Sequence, residues 1–551
     1  MLTLLLSILL SIYHPPVSYE ITLAGNFGEP RPHHFHGGLD IRTDNVEGKP
    51  IYAIGDGYVS RVTMGKYGFG NAVYVTHPEG YTSIYCHLKS FSPRIHAAMR
   101  RYQYRHEQTE GDARFSPLEC PVAQGQLIAL SGNTGNSSGP HLHLEIHDTE
   151  TDEMLDPYEF LCDYISDTIP PRIASLMAYP MGTGSTFNGS SDKQRFSVSA
   201  RQGQPTFSAS GKVGFALCAS DYMQNSSFHF GIRETVMRVD GEEQFRAVVN
   251  RIPSECNRLV NSWGDYDYWH RHRVWYMKAF MEPGNTLPIL AAQQNRGIID
   301  FSEQREYLVE FILRDYKGNE SRCHFWVRGS ATKASLPSNP NSPASPLFRW
   351  NQTNIYSQPG MQLTVPYGLL ARNTQLSPEI KSRPDALSDS YRFTATSCPL
   401  LTDGEIAIYV RSENFGADDV VSRELDPSKL YVSSKGKFRG GDYADGWVKG
   451  RIRELGDFYE LEYDDEPPEV SPVSLGEHIL LKVSDAKSGV ASYRATIDGR
   501  FVVFDAVDKK PMVSCRMEET PIPKNSGTHQ LSLSVTDNRG NTRVFETNVV
   551  Y

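Results

Sequence analysis

Apolar and polar positions alternate with a period of two along many short runs of the chain, and turn residues separate the runs. Asn71–His77 and Tyr81–Leu88 alternate in this way, as does Leu142–Ile146 over a shorter length. Pro50–Val62 reads as strand, turn, strand about Gly55-Asp56-Gly57, where Asp-Gly supplies the hairpin turn. One stretch breaks the rhythm. Arg94–Ser116 is charged and rich in Arg, Tyr and Gln, and reads as a helical or mobile surface excursion between strands. The pattern predicts a mainly β protein.

A repeat emerges further along. Asp167-Thr168-Ile169-Pro170-Pro171 opens a segment, and Asp465-Glu466-Pro467-Pro468 opens a similar one. Each continues into a strand ending in Ser-Asp, at Ser220-Asp221 and at Ser484-Asp485, and each has an Asp-Gly turn, at Asp240-Gly241 and Asp498-Gly499. Each closes on Asp-x-x-Gly-Asn, at Asp315–Asn319 and Asp537–Asn541. Two copies of one β-sandwich module, Ig-like in type, are expected, the first with a long insertion. The closing motif reads as a turn, since Gly takes positive φ and Asp or Asn binds its own backbone. Two carboxylates per copy are too few to favour calcium. Trp263, Trp269 and Trp275 in the insertion are a candidate sugar-stacking set if their even spacing places them on one strand face.

The resulting division is a probable signal peptide over 1–18, a first β domain over 19–165, a β-sandwich over 166–330, and a Ser/Pro-rich linker over 331–347. A β-rich unit of uncertain type over 348–464 and a second β-sandwich over 465–551 complete it. The length of 551 residues suits three or four domains of ordinary size.

Composition supports strands and turns, with 44 Gly, 34 Pro, 29 Tyr and 25 Phe. A net charge of -10 argues against a dedicated nucleic-acid binder. Leu2–Tyr13 has the length of a signal-peptide core and is too short to span a bilayer, so export to the periplasm or cell envelope is expected. The eight cysteines form no CxxC pair, which removes a cysteine zinc site.

Histidine is the unevenly placed residue: eleven of 17 lie within the first 150 positions. Three short motifs sit there, His36-Gly37-Gly38-Leu39-Asp40, Tyr85-Cys86-His87-Leu88 and Pro140-His141-Leu142-His143. Residues two apart on a strand share a face, so His141 and His143 project together. The Gly-Gly step lets the chain between His36 and Asp40 approach a metal closely. Two histidines with one carboxylate make a catalytic zinc set with a position left for water. One histidine of the HxH pair and His87 remain for proton transfer and for stabilising a tetrahedral intermediate. His270-Arg271-His272 lacks a partner motif and reads as surface, and His77 as a structural hydrogen-bonding residue.

These motifs, with Asn26–Glu29, Gly55–Gly57 and Gly125-Gln126 through Ser131–Gly135 to Gly139–Ile146, resemble those of the M23 (LytM, lysostaphin-like) peptidases. The resemblance covers about Tyr19–Tyr164. It implies an antiparallel β domain with a groove over zinc, and a zinc-dependent endopeptidase acting on peptide bridges or stem peptides of bacterial peptidoglycan. It also implies that His36, Asp40 and His143 bind zinc and that His87 and His141 are catalytic. Cys86 stands where a small residue is usual, as a buried thiol or a partner for Cys120. A catalytically silent regulator of cell-wall amidases, or a wall-binding scaffold with cell-envelope protein partners, is the alternative; the intact five-residue set speaks against silence.

Overall fold

The computed structural model describes residues 13–109, 111–198, 206–331, 345–414 and 425–551. Most of the leader and most of the Ser/Pro-rich linker lie outside the described residues. Strands dominate, as the alternating pattern predicts, and the longest helix has 14 residues.

The site-bearing sheet comes first. The main run of this ten-stranded sheet is β1 (Leu23–Gly25), β2 (Gly38–Arg42), β3 (Gly57–Met64), β4 (Ala72–Thr76), β5 (Tyr81–Cys86), β6 (Gly111–Arg114) and β7 (His141–Asp148). They run antiparallel in the order β1-β2-β7-β5-β4-β3-β6. Period two decides the faces. Leu142, Leu144 and Ile146 of β7 are buried in the first core with Leu39 and Ile41 of β2. The intervening residues, His141, His143, Glu145 and His147, therefore take the opposite face. Each buried Leu or Ile contributes about 1.5–3 kcal/mol. A slip of one residue would bury the histidines and expose that apolar row, so the core itself enforces the register that faces His143 to Asp40. Tyr13 and Val17, at the end of the expected leader, are buried in this same core.

The charged excursion is helix α1 (Pro93–His106) followed by β6. Pro93 starts the helix, and Ile95, Ala98 and Met99, at helical spacing, are buried against the sheet. Its other side meets the end of the chain. Arg100 forms ion pairs with Asp505 and Glu519, and Tyr104 Oη donates to the Glu519 carbonyl at 3.0 Å.

In the second region, β8 (Arg172–Phe187), β9 (Thr206–Ser220), β10 (Glu234–Val239), β11 (Glu306–Arg314) and β12 (Glu320–Ser330) are ordered β8-β9-β12-β11-β10, with β9 and β12 parallel. Its core includes Phe27, Phe35 and Met154 from the first domain, so the two regions share apolar packing. The tryptophans do not share a strand face. Trp263 ends a short helix, is buried, and donates from Nε1 to the Lys278 carbonyl at 2.9 Å. Trp269 lies on helix α2 (Tyr266–His272) and stacks on Trp275 at 5.3 Å. Helix-capping by Asp265, whose side chain accepts from the Tyr268 N–H, overrides the even spacing.

A third core lies under β13 (Met361–Val365), β14 (Pro399–Tyr409) and β15 (Trp447–Glu454). In the last region two sheets face each other. One holds β16 (Glu469–Leu475), β17 (His478–Ser484) and β19 (Met512–Arg516); the other holds β18 (Val490–Ile497), β20 (Thr528–Asp537) and β21 (Thr542–Val550). Ile479, Leu481 and Val513 from one sheet meet Ile497, Leu531 and Leu533 from the other in a common core.

Candidate active site

The polar face of β7 and the neighbouring β2 bring His36, Asp40 and His143 together. Nε2 of His36 lies 2.9 Å from Asp40 Oδ1 and 2.9 Å from Nδ1 of His143, which is itself 2.8 Å from Asp40 Oδ1. The three residues are 2%, 6% and 5% exposed, so this is a buried triad of donors with little access to competing water. The outer atoms are already committed. His36 Nδ1 donates to the Asn26 carbonyl at 2.6 Å, and His143 Nε2 donates to Glu145 Oε1 at 2.8 Å. In its neutral form each imidazole therefore has its lone-pair nitrogen on the inward side, the tautomer that a metal ligand needs. Nitrogen and carboxylate oxygen donors in a set of three fit zinc.

The carboxylates hold their charge. Burial opposes ionisation of Asp40, but the charge of His36 and hydrogen bonds with the three surrounding histidines keep it well below the usual carboxylate range. Arg31 adds an ion pair to Asp40 Oδ2 at 2.8 Å. Glu145 is also held below its ordinary range: burial raises it, and bonds to His143 and to His147 Nε2, at 2.7 Å, outweigh that. Burial, against the pull of Asp40, moves His36 down to about 4, and burial with the neighbouring His143 and His141 moves His87 down to about 3, whereas Asp40 and Glu145 outweigh burial at His143 and push it up to about 9.

His87 and His141 stand at the rim with ring centres 4.9 Å apart. His87 follows the last residue of β5 with φ of 59°, a conformation uncommon outside glycine. Its Nδ1 donates to the Thr134 carbonyl at 2.8 Å, which leaves Nε2 as a lone-pair acceptor. His141 Nδ1 donates to the Gly139 carbonyl at 2.8 Å, and its Nε2 is 3.2 Å from Asp40 Oδ1. The loop that fixes both rings is braced from the far end of the chain. Lys509 Nζ donates to the carbonyls of Asn133 and Ser137, both at 2.7 Å, and Asp508 Oδ1 accepts from the Gly135 N–H at 3.0 Å.

The glycines of the ligand loop have a different reason from closeness to a metal. A Cβ on Gly38 would lie 2.1 Å from the Leu144 carbonyl oxygen, and one on Gly37 would lie 2.4 Å from Glu145 Oε1. They permit β2 to pair with β7 and Glu145 to reach His143. Cys86 is a buried free thiol paired in register with His143; all eight cysteines are free, so no Cys86–Cys120 bond forms. His77 is buried and bonded to the Asp56 carbonyl and Ser83 Oγ, as expected of a structural residue, and His270 and His272 are exposed. Glu145, Asn26 and Thr134 lie within the motif runs but carry no role in the sequence reading. Glu145 was visible as the next residue of the period-two row after His141 and His143.

A buried two-histidine, one-carboxylate cluster in an antiparallel β domain, with two more histidines at its edge, defines a metallopeptidase type of centre. Residues 34–103 match the peptidase family M23. Residues 345–464 match a Zu5-like domain. The DD-carboxypeptidase/endopeptidase Mpg of Neisseria meningitidis serogroup B is 34% identical over 110 residues, 20% of this chain and 19% of that protein. The peptidoglycan DD-endopeptidase ShyC of Vibrio cholerae is 33% identical over 127 residues, 22% of this chain and 24% of that protein. The solved catalytic domain of lysostaphin from Staphylococcus simulans is 25% identical, over 25% of this chain and 89% of that one, with a TM-score of 0.19. The chain spans about a fifth of the length of the curated relatives it matches.

Proposed function

We propose that the chain is an exported, zinc-dependent endopeptidase that hydrolyses peptide cross-links or stem peptides of bacterial peptidoglycan. The convergence of His36 Nε2, Asp40 Oδ1 and His143 Nδ1, with His87 and His141 beside them, carries this reading. The names of the Neisseria and Vibrio relatives, a DD-carboxypeptidase/endopeptidase and a peptidoglycan DD-endopeptidase, support the substrate class. His36, Asp40 and His143 would hold the ion, which when bound supplies Lewis acidity toward the scissile carbonyl and an acidified water.

The protein's own groups do the rest. His87 stays neutral near pH 7 because burial and the neighbouring histidines pull it down to about 3, so its Nε2 accepts a proton and returns it to the leaving amine. His141, whose Nδ1–H the Gly139 carbonyl holds, stabilises the oxyanion through Nε2 once that nitrogen has taken up a proton. Glu145 and the Asn26 carbonyl keep the two ligand imidazoles in their metal-binding tautomers.

Residues 19–165 form the peptidase domain in this reading. The regions 166–330 and 465–551 are Ig-like β-sandwiches that flank the Zu5-like unit and hold the enzyme at the wall or to envelope proteins. No described helix is long and apolar enough to cross a membrane.

Zinc content by inductively coupled plasma mass spectrometry, with mass spectrometry of muropeptides released from purified sacculi, tests the reading. One zinc per chain and cleaved peptides are expected, with both lost in His36→Ala. Cleavage that persists in His36→Ala, or its absence in the zinc-loaded wild type, overturns it.

A further inference from the structure

The repeated modules each gather three carboxylates that neither the peptidase chemistry nor the turn at their ends requires. In the first, Asp167, Asp221 and Asp315 place an oxygen each within 4.8 Å of one another; in the second, Asp464, Asp485 and Asp537 do the same. The two sets occupy equivalent places: three residues before the Pro-Pro opening, at the end of the Ser-Asp strand, and at the start of Asp-x-x-Gly-Asn. The third carboxylate in each set comes from the opening segment, which the closing motif alone does not reveal.

The turn uses only one member of each set. Asp315 accepts from the Asn319 N–H and side chain at 2.9 and 2.6 Å, and Asp537 from those of Asn541 at 2.9 and 2.7 Å. Asp221 and Asp485 are delivered by other strands and take no part in the closing turn, although Asp485 Oδ1 accepts from the Gly489 and Lys487 N–H groups at 2.6 and 3.1 Å. Five of the six are at most 8% exposed, and among the described residues no Lys, Arg or His forms an ion pair with any of them. The nearby basic groups are engaged elsewhere: Arg233, which lines the same cavity, donates to the Val249 carbonyl at 2.9 Å and pairs with Asp156 and Glu159, Lys317 donates to the Cys162 carbonyl at 2.7 Å and Arg539 to the Ser428 carbonyl at 2.8 Å. Three like charges this close and this buried repel strongly unless a cation or a proton sits among them, and burial with the neighbouring carboxylates pushes Asp167, Asp221 and Asp485 up.

A second observation points to a ligand. Asp221 Oδ1 and Tyr158 Oη have no hydrogen-bond partner, each on a residue only 5% exposed, and both residues line one cavity of about 20 Å³ with Asp167 and Asp315. That space is of the size of a single ion or water. In the other module Ser488 Oγ is likewise unpartnered on a residue 4% exposed, while its N–H donates to Asp464 Oδ2 at 3.1 Å.

We propose that each carboxylate triad is a calcium site, so that the chain carries two structural calcium ions, one in each repeated β module. The donors are all oxygen, which selects a hard cation over zinc, and bonds of ~2.3–2.6 Å accommodate oxygens spaced as these are. The positions give the ions a purpose. Asp167 follows the peptidase domain and Asp464 ends the Zu5-like segment, so each ion clamps the point where one domain passes into the next. Tyr158 and Asn26 of the first domain face the first site across that junction. Calcium would therefore set the angle between the peptidase domain and its extensions, independently of the zinc centre.

The test uses the full-length, zinc-loaded protein after calcium is removed with a calcium-selective chelator. Calorimetric titration with calcium is expected to show two ions per chain, with a rise of several degrees in Tm. Asp221→Asn and Asp485→Asn should each remove one ion, and the double variant both, with zinc content unchanged. No binding to the folded wild type at roughly 5 mM calcium, above the ~10⁻⁴–10⁻³ M range of extracellular modules, overturns the proposal. So does a stoichiometry that the two variants leave at two, or binding of magnesium as tight as that of calcium. Wild-type stoichiometry decides even if a variant fails to fold.

Discussion

Glu145 accepts a hydrogen bond from His143 Nε2 at 2.8 Å, from two positions along the same face of one strand. This contact chooses which nitrogen of His143 looks toward Asp40, and it continues through Glu145 Oε2 to His147 at 2.7 Å and from His147 to Asp152 at 2.9 Å. A ligand orientation is thus secured by a row of polar residues whose spacing is that of the strand itself. Glu145→Ala should weaken zinc binding about 10–100-fold, and Glu145→Gln, which keeps an acceptor oxygen, should weaken it less. Competition with a chromophoric chelator measures this; equal losses in the two variants would refute the orienting role.

The close pairing of β2 and β7 depends on Gly38. A methyl group there would meet the Leu144 carbonyl oxygen at 2.1 Å, and backbone cannot rotate away as a side chain can. Gly38→Ala should cost about 1–3 kcal/mol in urea unfolding and lower zinc affinity together, since parting the strands separates Asp40 from His143. A variant of wild-type stability and zinc affinity would show that the strands part freely.

Lys509 and Asp508 brace the loop whose Thr134 carbonyl orients His87. In the double variant Asp508→Ala, Lys509→Ala the peptidase rate should fall by roughly tenfold with zinc content unchanged, because a displaced proton carrier lowers turnover without touching the ligands. Steady-state cleavage of a defined muropeptide separates kcat from KM, and the loss is expected in kcat.

Arg100 ties helix α1 to the last region through Asp505 and Glu519. Its side chain is 14% exposed, so Arg100→Ala leaves two partly buried carboxylates without their partner. A loss of about 1–3 kcal/mol is expected, and limited proteolysis should release the last region faster. A double-mutant cycle with Asp505→Ala should show coupling.

Asp156 gives a pH signature. Burial pushes its carboxyl up from 3.8 to about 7, against the pull of Arg233, whose Nη1 is 3.5 Å away. The folded chain thus holds a proton that the unfolded chain has lost, so stability falls as pH rises from about 4 to 7 and stays lower above that. Glu29, Asp167 and Asp221 are raised in the same window, so Asp156→Asn should remove one share of the slope and raise stability by roughly 1–4 kcal/mol above pH 7 relative to the parent, with no gain below pH 4. Urea unfolding at acidic and neutral pH decides it.

Local signals made much of this protein legible in sequence. The alternation in Leu142–Ile146 places an apolar row on one face and a histidine row on the other whatever lies beyond the strand, and the HxH spacing follows from that same periodicity, whereas His36 of HxxxD lies in the loop before the strand of Asp40. The duplicated opening and closing motifs are legible for a similar reason, since turns are written in neighbouring residues. What the tertiary structure alone decided are the meetings of distant segments. Asp167 joins Asp221 and Asp315, Arg100 meets Asp505, and Lys509 reaches the loop beside His87. The tryptophan segment turned helical through an Asp265 cap, although its even spacing suits a strand. Periodicity and turn chemistry act over a few residues, whereas sheet order and the packing of one core on another set which distant side chains converge.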